Sequence, residues 1–252
     1  MAGIGKAKQR CSVCGASLTL CMCAEIPRLE LRTKISLVIH HRELSRSSNT
    51  GLLAHQSLVN SEVRIRGERL EKLDLSDLLA PRYRTLLFYP SADAVELDSE
   101  LVRQDWRPIQ LIVPDGTWRQ ARKIHSRHIE LRDVPRVKIS APNHATFQLR
   151  AQSRPERMAT LQAIACALRI IEGHFVAAQL MKLYDARIDR TLRARGLHGA
   201  ISRSSNKTAF STGTGVSSTS AAAGSASTNA QRINETLNSR GIRGFPLYCA
   251  PD

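Results

Sequence analysis

The residue of this chain best suited by type and setting to do chemistry is Asp115, in the run Leu111-Ile112-Val113-Pro114-Asp115-Gly116-Thr117-Trp118-Arg119-Gln120. The apolar stretch 109–113 reads as a buried strand. Pro114 and Gly116 are expected to break it. Residues 117–127 contain neither Pro nor Gly and can continue as a helix. Asp115 therefore falls where a strand stops and a helix begins, the usual place for ligands in an open α/β sheet. Amides at such a helix start can hold an anion or a carboxylate. The competing reading is that Asp115 merely caps the helix, which Asp does well.

Three other groups carry chemistry. Cys11, Cys14, Cys21 and Cys23 form a CxxC–CxC set within thirteen residues. Four thiolates at that spacing suit a tetrahedral structural zinc, with an iron–sulfur cluster as the minor alternative. A redox role would need a thioredoxin-like unit, and none follows. His40, Glu43, Arg46, Asn49 and Thr50 come after a β-branched run at 35–39 and lead into a helix over 52–58, with Asn49 or Thr50 as its cap. Tyr89, Pro90, Ser91 and Asp93 form the exit of a further apolar run at 85–89.

The elements that must position these groups can be read in outline. Strands are expected at 35–39, 65–73, 85–89, 109–113 and 137–140, and a short helix at 95–103. A loop at 142–149 carries Asn143 and His144. Residues 157–172 place apolar side chains at helical spacing and end at Gly173, and 175–195 form a second amphipathic helix. This gives an α/β domain over 31–196 and a four-cysteine metal module over 11–30. Residues 1–10 read as a disordered lead, and 197–252 as a flexible Ser/Thr/Ala/Gly-rich tail. No apolar run is long enough to span a bilayer. The first ten residues lack an apolar signal core, so a cytoplasmic protein without membrane contact is expected. The formal charge of +15, with Arg outnumbering Lys, points to a polyanionic partner, most simply a nucleic acid. With aromatics at only 4%, extended base stacking is not the means of recognition.

Taken in order, the motifs resemble those of the DTW-domain family, the tRNA-uridine aminocarboxypropyltransferases. The likeness covers residues 11–173. It rests on the four cysteines; on His40-x-x-Glu43-x-x-Arg46-x-x-Asn49-Thr50-Gly51; on Leu87-Phe88-Tyr89-Pro90-Ser91-x-Asp93-Ala94; on Pro114-Asp115-Gly116-Thr117-Trp118-Arg119-Gln120-Ala121; and on Arg150 through Arg157 to Thr160-Leu161-Gln162-Ala163. Two positions depart from the pattern. His41 stands where the family commonly has Pro, and Gln162 where it commonly has Glu.

The family is similar in fold to SPOUT-type RNA-modifying enzymes, which implies a sheet flanked by helices with a deep trefoil knot holding S-adenosylmethionine. The implied reaction moves the 3-amino-3-carboxypropyl group of S-adenosylmethionine to N3 of a tRNA uridine and releases methylthioadenosine. On this resemblance Asp115 is the catalytic candidate, either accepting the uridine proton or binding the amino group of the donor. Tyr89, Pro90, Ser91, Asp93, Val113, Pro114, Gly116, Thr117, Trp118 and Thr160 would hold the donor; Trp118 could equally be core. His40, Glu43, Arg46, Asn49, Thr50, Arg119, Arg122, Lys123, Arg150, Arg154 and Arg157 would face the tRNA. Zinc (Zn2+) would be structural and the chain a monomer. Two rival readings remain: an RNA methyltransferase using the same donor, and a non-catalytic zinc-dependent RNA-binding adaptor, to which Gln162 lends weight.

Overall fold

The structure is a computed structural model that describes residues 11–14, 16–46, 48–67, 73–140 and 158–194. The expected lead at 1–10, the loop at 142–149 and the tail at 197–252 lie outside the described residues. The chain divides into two compact units, Met1–Ala141 with Met158–Ala186, and Pro142–Arg157 with Arg187–Asp252. Of the second unit only residues 187–194 are described, the last turns of the final helix.

The first unit is built on a parallel six-stranded sheet. Its strands are β1 (Lys34–His40), β2 (Ser61–Arg66), β3 (Arg84–Phe88), β4 (Val95–Glu96), β5 (Ile109–Asp115) and β6 (Arg136–Lys138), in the order β2-β1-β5-β3-β6-β4. The helices are α1 (His41–Leu44), α2 (Gly51–Ser57), α3 (Ser99–Arg103), α4 (Trp118–Arg127), α5 (Thr160–Ile171) and α6 (His174–Ala194). The central strands β1 and β5 are runs of Ile, Leu and Val buried on both faces, as a parallel sheet covered on both sides requires. One edge strand, β2, is rich in charged residues and the other, β4, has only two residues, and both features blunt unwanted pairing.

On one face Val38, Leu87 and Ile112 pack with Leu75, Leu78, Leu131, Val134 and Ile124 of α4. Each such side chain, fully buried, is worth ~1.5–3 kcal/mol. Side chains alternate along a strand. Leu37, Ile39, Leu111, Val113 and Asp115 therefore face the other side, where α2 and α5 lie. Helix α5 buries Leu161, Ile164, Ala165 and Leu168 along one stripe. Its C-terminal end is tied to the start of β1, because Glu172 accepts from the Thr33 backbone N–H at 2.7 Å and from its hydroxyl at 2.5 Å. Gly173, at φ +100°, closes the helix with its N–H on the Leu168 carbonyl. So α5 runs against the strands, and its N-terminal end reaches the edge where β1 and β5 finish.

Several boundaries differ from the sequence-based expectation. Pro114 does not end β5. The strand continues to Asp115, with Pro114 in register opposite Val38. Of the strand expected at 65–73, residues 68–72 lie outside the described residues; the described strand there is Ser61–Arg66, which begins earlier because its polar edge residues hide its character. The expected helix at 95–103 splits. Val95–Glu96 pair with β6, and only Ser99–Arg103 are helical, started by the Asp98 carboxylate on the Leu101 N–H. Residues 141–157, on which a threaded path from β6 to α5 depends, lie outside the described residues. No helix among the described residues is long and apolar enough to cross a membrane.

Candidate active site

Asp115 ends the central strand and is 6% exposed. Its Oδ1 accepts from the Thr160 hydroxyl at 2.5 Å, at the first turn of α5. On its other side lies Gly51, the first residue of α2. A Cβ there would meet Asp115 Oδ2 at 2.5 Å, Cγ at 3.1 Å and Leu37 Cδ2 at 3.3 Å. The carboxylate thus sits between the starts of two helices, where the positive end of the α5 dipole favours negative charge. It does not cap its own following helix. That task falls to Thr117, whose hydroxyl accepts from the Gln120 N–H while Gln120 Oε1 accepts from the Thr117 N–H. The Thr-x-x-Gln box is legible in the sequence and identifies the true helix start.

The close approach at Gly51 gives a prediction. Gly51→Ala forces Cβ into a carboxylate held from the other side by Thr160, so Asp115 must shift. We expect a loss of about 1–3 kcal/mol in stability from overpacking, together with loss of any activity that needs Asp115. Chemical denaturation and turnover measured on the same preparation check both.

The motif that follows β1 supports this pocket. The Glu43 carbonyl accepts from Asn49 Nδ2 at 3.1 Å, and Asn49 Oδ1 accepts from the Leu52 N–H at 3.1 Å. Asn49 therefore caps α2. The Thr50 hydroxyl instead accepts from the Leu161 N–H at 3.2 Å, which joins the starts of α2 and α5. Glu43 is 1% exposed, with Arg46 Nε at 3.3 Å from Oε1, and Thr50 is 3% exposed. Burial gives Glu43 and Thr50 internal tasks in place of the RNA contact expected of them. Gln162 Oε1 accepts from the Ala159 N–H at 3.1 Å. An amide oxygen serves there as well as a carboxylate would, so the departure from Glu leaves the α5 start intact.

His40 lies beyond Ile39, the register partner of Asp115, so alternation turns it to the α4 face, away from the Asp115 carboxylate. Its Nδ1 accepts from the Arg42 N–H at 3.2 Å. Burial first, then the charges of His41, Arg66 and Arg42, hold its pKa below the ordinary imidazole range. The β3 exit adjoins the end of β5 in the sheet. Tyr89 stacks on His125 with ring centroids 4.8 Å apart, and Trp118, 38% exposed, lies 6.4 Å from Tyr89. Asp93 pairs with Arg136 at 2.8 Å, and Arg136 Nε donates to His125 Nδ1 at 3.3 Å. These bonds fasten the loop bearing Pro90 and Ser91 to α4 and β6. Sequence reasoning missed His125 and Arg136, which share no motif with the loop they brace. Val113 is buried beneath the site, while Pro114 and Gly116 are half-buried. Arg119 and Arg122 are exposed on α4, with Lys123 half-buried beside them. Arg150, Arg154 and Arg157 lie outside the described residues.

The four N-terminal cysteine sulfurs all lie within 4.8 Å of one another. Cys11–Cys23 and Cys21–Cys23 are 3.5 Å apart and Cys14–Cys21 3.8 Å. These separations exceed a disulfide bond and match the edge of about 3.8 Å of a sulfur tetrahedron with zinc–sulfur bonds near 2.3 Å. Backbone N–H groups of Cys14 and Val13, followed by the Cys23 and Cys21 thiols, lower the Cys11 pKa to about 6. The donor set fits zinc. The loop is tied to α2, since Gln56 Nε2 donates to the Val13 carbonyl at 2.5 Å and Leu29 exchanges backbone bonds with Ser57 and Val59.

A parallel α/β sheet with a buried strand-end aspartate and an attached four-sulfur loop is the class that geometry defines. Residues 8–192 match the model of the DTW domain. The chain is 25% identical to tRNA-uridine aminocarboxypropyltransferase 2 of Macaca fascicularis over 187 residues, 72% of this chain and 63% of that protein. It is 30% identical to the protein of that name from Drosophila melanogaster over 174 residues, 66% of this chain and 68% of that protein. The chain thus spans about two thirds of the length of these curated relatives. Among solved structures, the SAM-dependent rRNA:acp-transferase from Vulcanisaeta distributa aligns with a TM-score of 0.41 and 14% identity, covering 65% of this chain and 79% of that one. The chain belongs to the DTW-domain family, and the matched region includes the four cysteines.

Proposed function

We propose that this protein transfers the 3-amino-3-carboxypropyl group of S-adenosylmethionine to N3 of a tRNA uridine. The observation that carries the reading is the buried Asp115 carboxylate at the end of β5, between the starts of α2 and α5, in a chain whose relatives are named tRNA-uridine aminocarboxypropyltransferase 2. The donor's sulfonium activates the attacked carbon, so the chain's task is to bind, align and exclude water. Asp115 is enclosed, with Oδ1 held by the Thr160 hydroxyl and Oδ2 against the start of α2, so it is a fixed group suited to orienting a bound ligand. We therefore assign it to holding the ammonium of the donor's methionine part, in preference to taking the uridine proton. Tyr89 to Asp93 and Gly116 to Trp118 line the donor; His40, Arg46, Arg119, Arg122 and Lys123, with Arg150, Arg154 and Arg157, serve the tRNA side, while Asn49 is spent on the start of α2. A structural zinc on the four cysteines, a knotted path around the donor, action as a monomer and a cytoplasmic site complete the proposal.

The test is direct. Full-length protein incubated with S-adenosylmethionine and unmodified tRNA is expected to yield a uridine heavier by one aminocarboxypropyl group, with methylthioadenosine in equal amount. Nucleoside mass spectrometry reads both. A methylated base with S-adenosylhomocysteine would assign the methyltransferase instead. Unchanged tRNA that still binds would assign the adaptor.

A further inference from the structure

On the face of the sheet away from Asp115, a buried side-chain relay aims one arginine. His128 is 4% exposed and follows α4 directly. Its Nε2 accepts from Arg66 Nε at 3.2 Å, so the ring proton sits on Nδ1, which donates to Glu130 Oε1 at 2.9 Å. Glu130 Oε1 also accepts from the Leu75 N–H at 3.1 Å, which fixes the carboxylate. The chain Glu130–His128–Arg66 uses the guanidinium's Nε and leaves its two Nη groups as a fork. Arg66 is the last residue of β2 and pairs in register with His40. Next to it Gly67, at φ +79°, passes close to both His40 and His41, whose rings lie 4.8 Å apart.

Among the described residues the charges here are unbalanced. Arg66, the exposed Arg42 and the exposed Arg127 make no ion pair with a carboxylate among the described residues. The one carboxylate of the relay, Glu130, is spent on His128. Arg127 is close enough to lower the Arg66 pKa after burial does, and Arg66 and Arg42 act on His40 in the same way. Like charges gathered around an arginine that is held in place cost stability unless an anion joins them.

We propose that Arg66, set by His128 and Glu130 and flanked by Arg42 and Arg127, is a phosphodiester subsite for the RNA substrate. A guanidinium fork presents paired donors that match phosphate oxygens. The ligand is a polyanion and not the donor's carboxylate. The cations spread over an exposed surface, and β1 separates β2 from β5. Arg66 also faces the α4 side of the sheet, opposite the Asp115 carboxylate. The proposal takes the identity of the polyanion from the tRNA reading above, and its test reads binding without turnover.

The experiment measures binding of unmodified tRNA to the full chain by fluorescence anisotropy over a series of KCl concentrations, with S-adenosylmethionine affinity measured in parallel by calorimetry. Arg66→Gln is expected to raise the tRNA Kd about three- to tenfold and to reduce the slope of log K against log salt by about one, with donor affinity unchanged. His128→Ala should weaken tRNA binding while keeping the slope, because the charge stays and only its aim is lost. Arg66→Lys should behave like His128→Ala. Arg127→Gln, at an exposed position that packing does not use, should also reduce the slope. Wild-type affinity and slope in Arg66→Gln would overturn the proposal, as would a parallel loss of donor affinity. If the wild-type chain transfers nothing yet Arg66→Gln still shifts the slope, the activity reading fails and the subsite stands.

Discussion

Asp115→Asn is expected to lower kcat/KM for the donor by about 10²–10³-fold while leaving the protein folded. The substitution keeps the size of the side chain and can still accept from the Thr160 hydroxyl, which is 2.5 Å away. It removes the charge. Losing one partner of a desolvated charge pair costs about 3–5 kcal/mol, and 1.4 kcal/mol is a factor of ten in rate. The two roles open to this carboxylate predict different kinetics. If Asp115 holds the donor's ammonium, the loss falls chiefly on KM for S-adenosylmethionine and the pH profile keeps its shape. If it accepts the uridine proton, kcat falls at saturating donor and the acidic limb of the profile disappears. The steady-state constants of Asp115→Asn at several pH values decide between them. A variant with unchanged constants would remove Asp115 from the site altogether.

Disrupting the proposed zinc site should have the second large effect. Cys14 is the most enclosed of the four cysteines, at 9% exposure, and its sulfur lies 3.8 Å from that of Cys21. Cys14→Ser is expected to abolish tight binding of one zinc per chain and to leave the other three thiols reactive. Structural zinc sites in small peptides bind with an apparent ~10–16 kcal/mol, much of it spent on folding the loop itself. Only part of that reaches the sheet, through Gln56 to Val13 and through Leu29 to Ser57 and Val59. We therefore expect unfolding confined to residues 11–30 and a fall in Tm of about 5–10 °C, following the usual scaling of Tm with stability for a domain of this size. Metal analysis, thiol titration and calorimetry read the three effects. Wild-type protein that is folded and metal-free, with four reactive thiols and the Tm of the zinc-loaded form, would exclude the site. The same loop leans on α2, so a loss of activity that accompanies metal removal would travel through Gly51 to Asp115.

How much of this was legible in the sequence depends on whether the deciding contacts are local. The runs 35–39, 85–89 and 109–113 announced β1, β3 and β5, because central parallel strands must be apolar on both faces. The CxxC–CxC spacing announced the sulfur cluster, because four ligands within thirteen residues close over a short loop. The strand-end position of Asp115 was also legible. Its partners were not. Alternating with Ile39's register places it toward α2 and α5, and Thr160 comes 45 residues later in the chain. Pro114 suggested a break because proline lacks an N–H, yet a strand can carry it where no ladder bond is needed.

The motif from His40 to Gly51 shows the division most clearly. The sequence by itself determined that these polar residues follow a buried strand and precede a helix. It could not say that Glu43, Asn49 and Thr50 would be spent on one another and on the start of α5, or that Gly51 is needed for the room it leaves beside Asp115. Nor could it single out Arg66, His128 and Glu130, which are 62 and 2 residues apart and meet because β2 lies at the sheet edge beside β1. Periodicity and spacing act within a few residues of chain, and they fixed the elements and their polar ends. Which of those ends meet was decided by strand order and by the direction of α5, since only packing of the whole sheet brings distant groups within hydrogen-bonding distance.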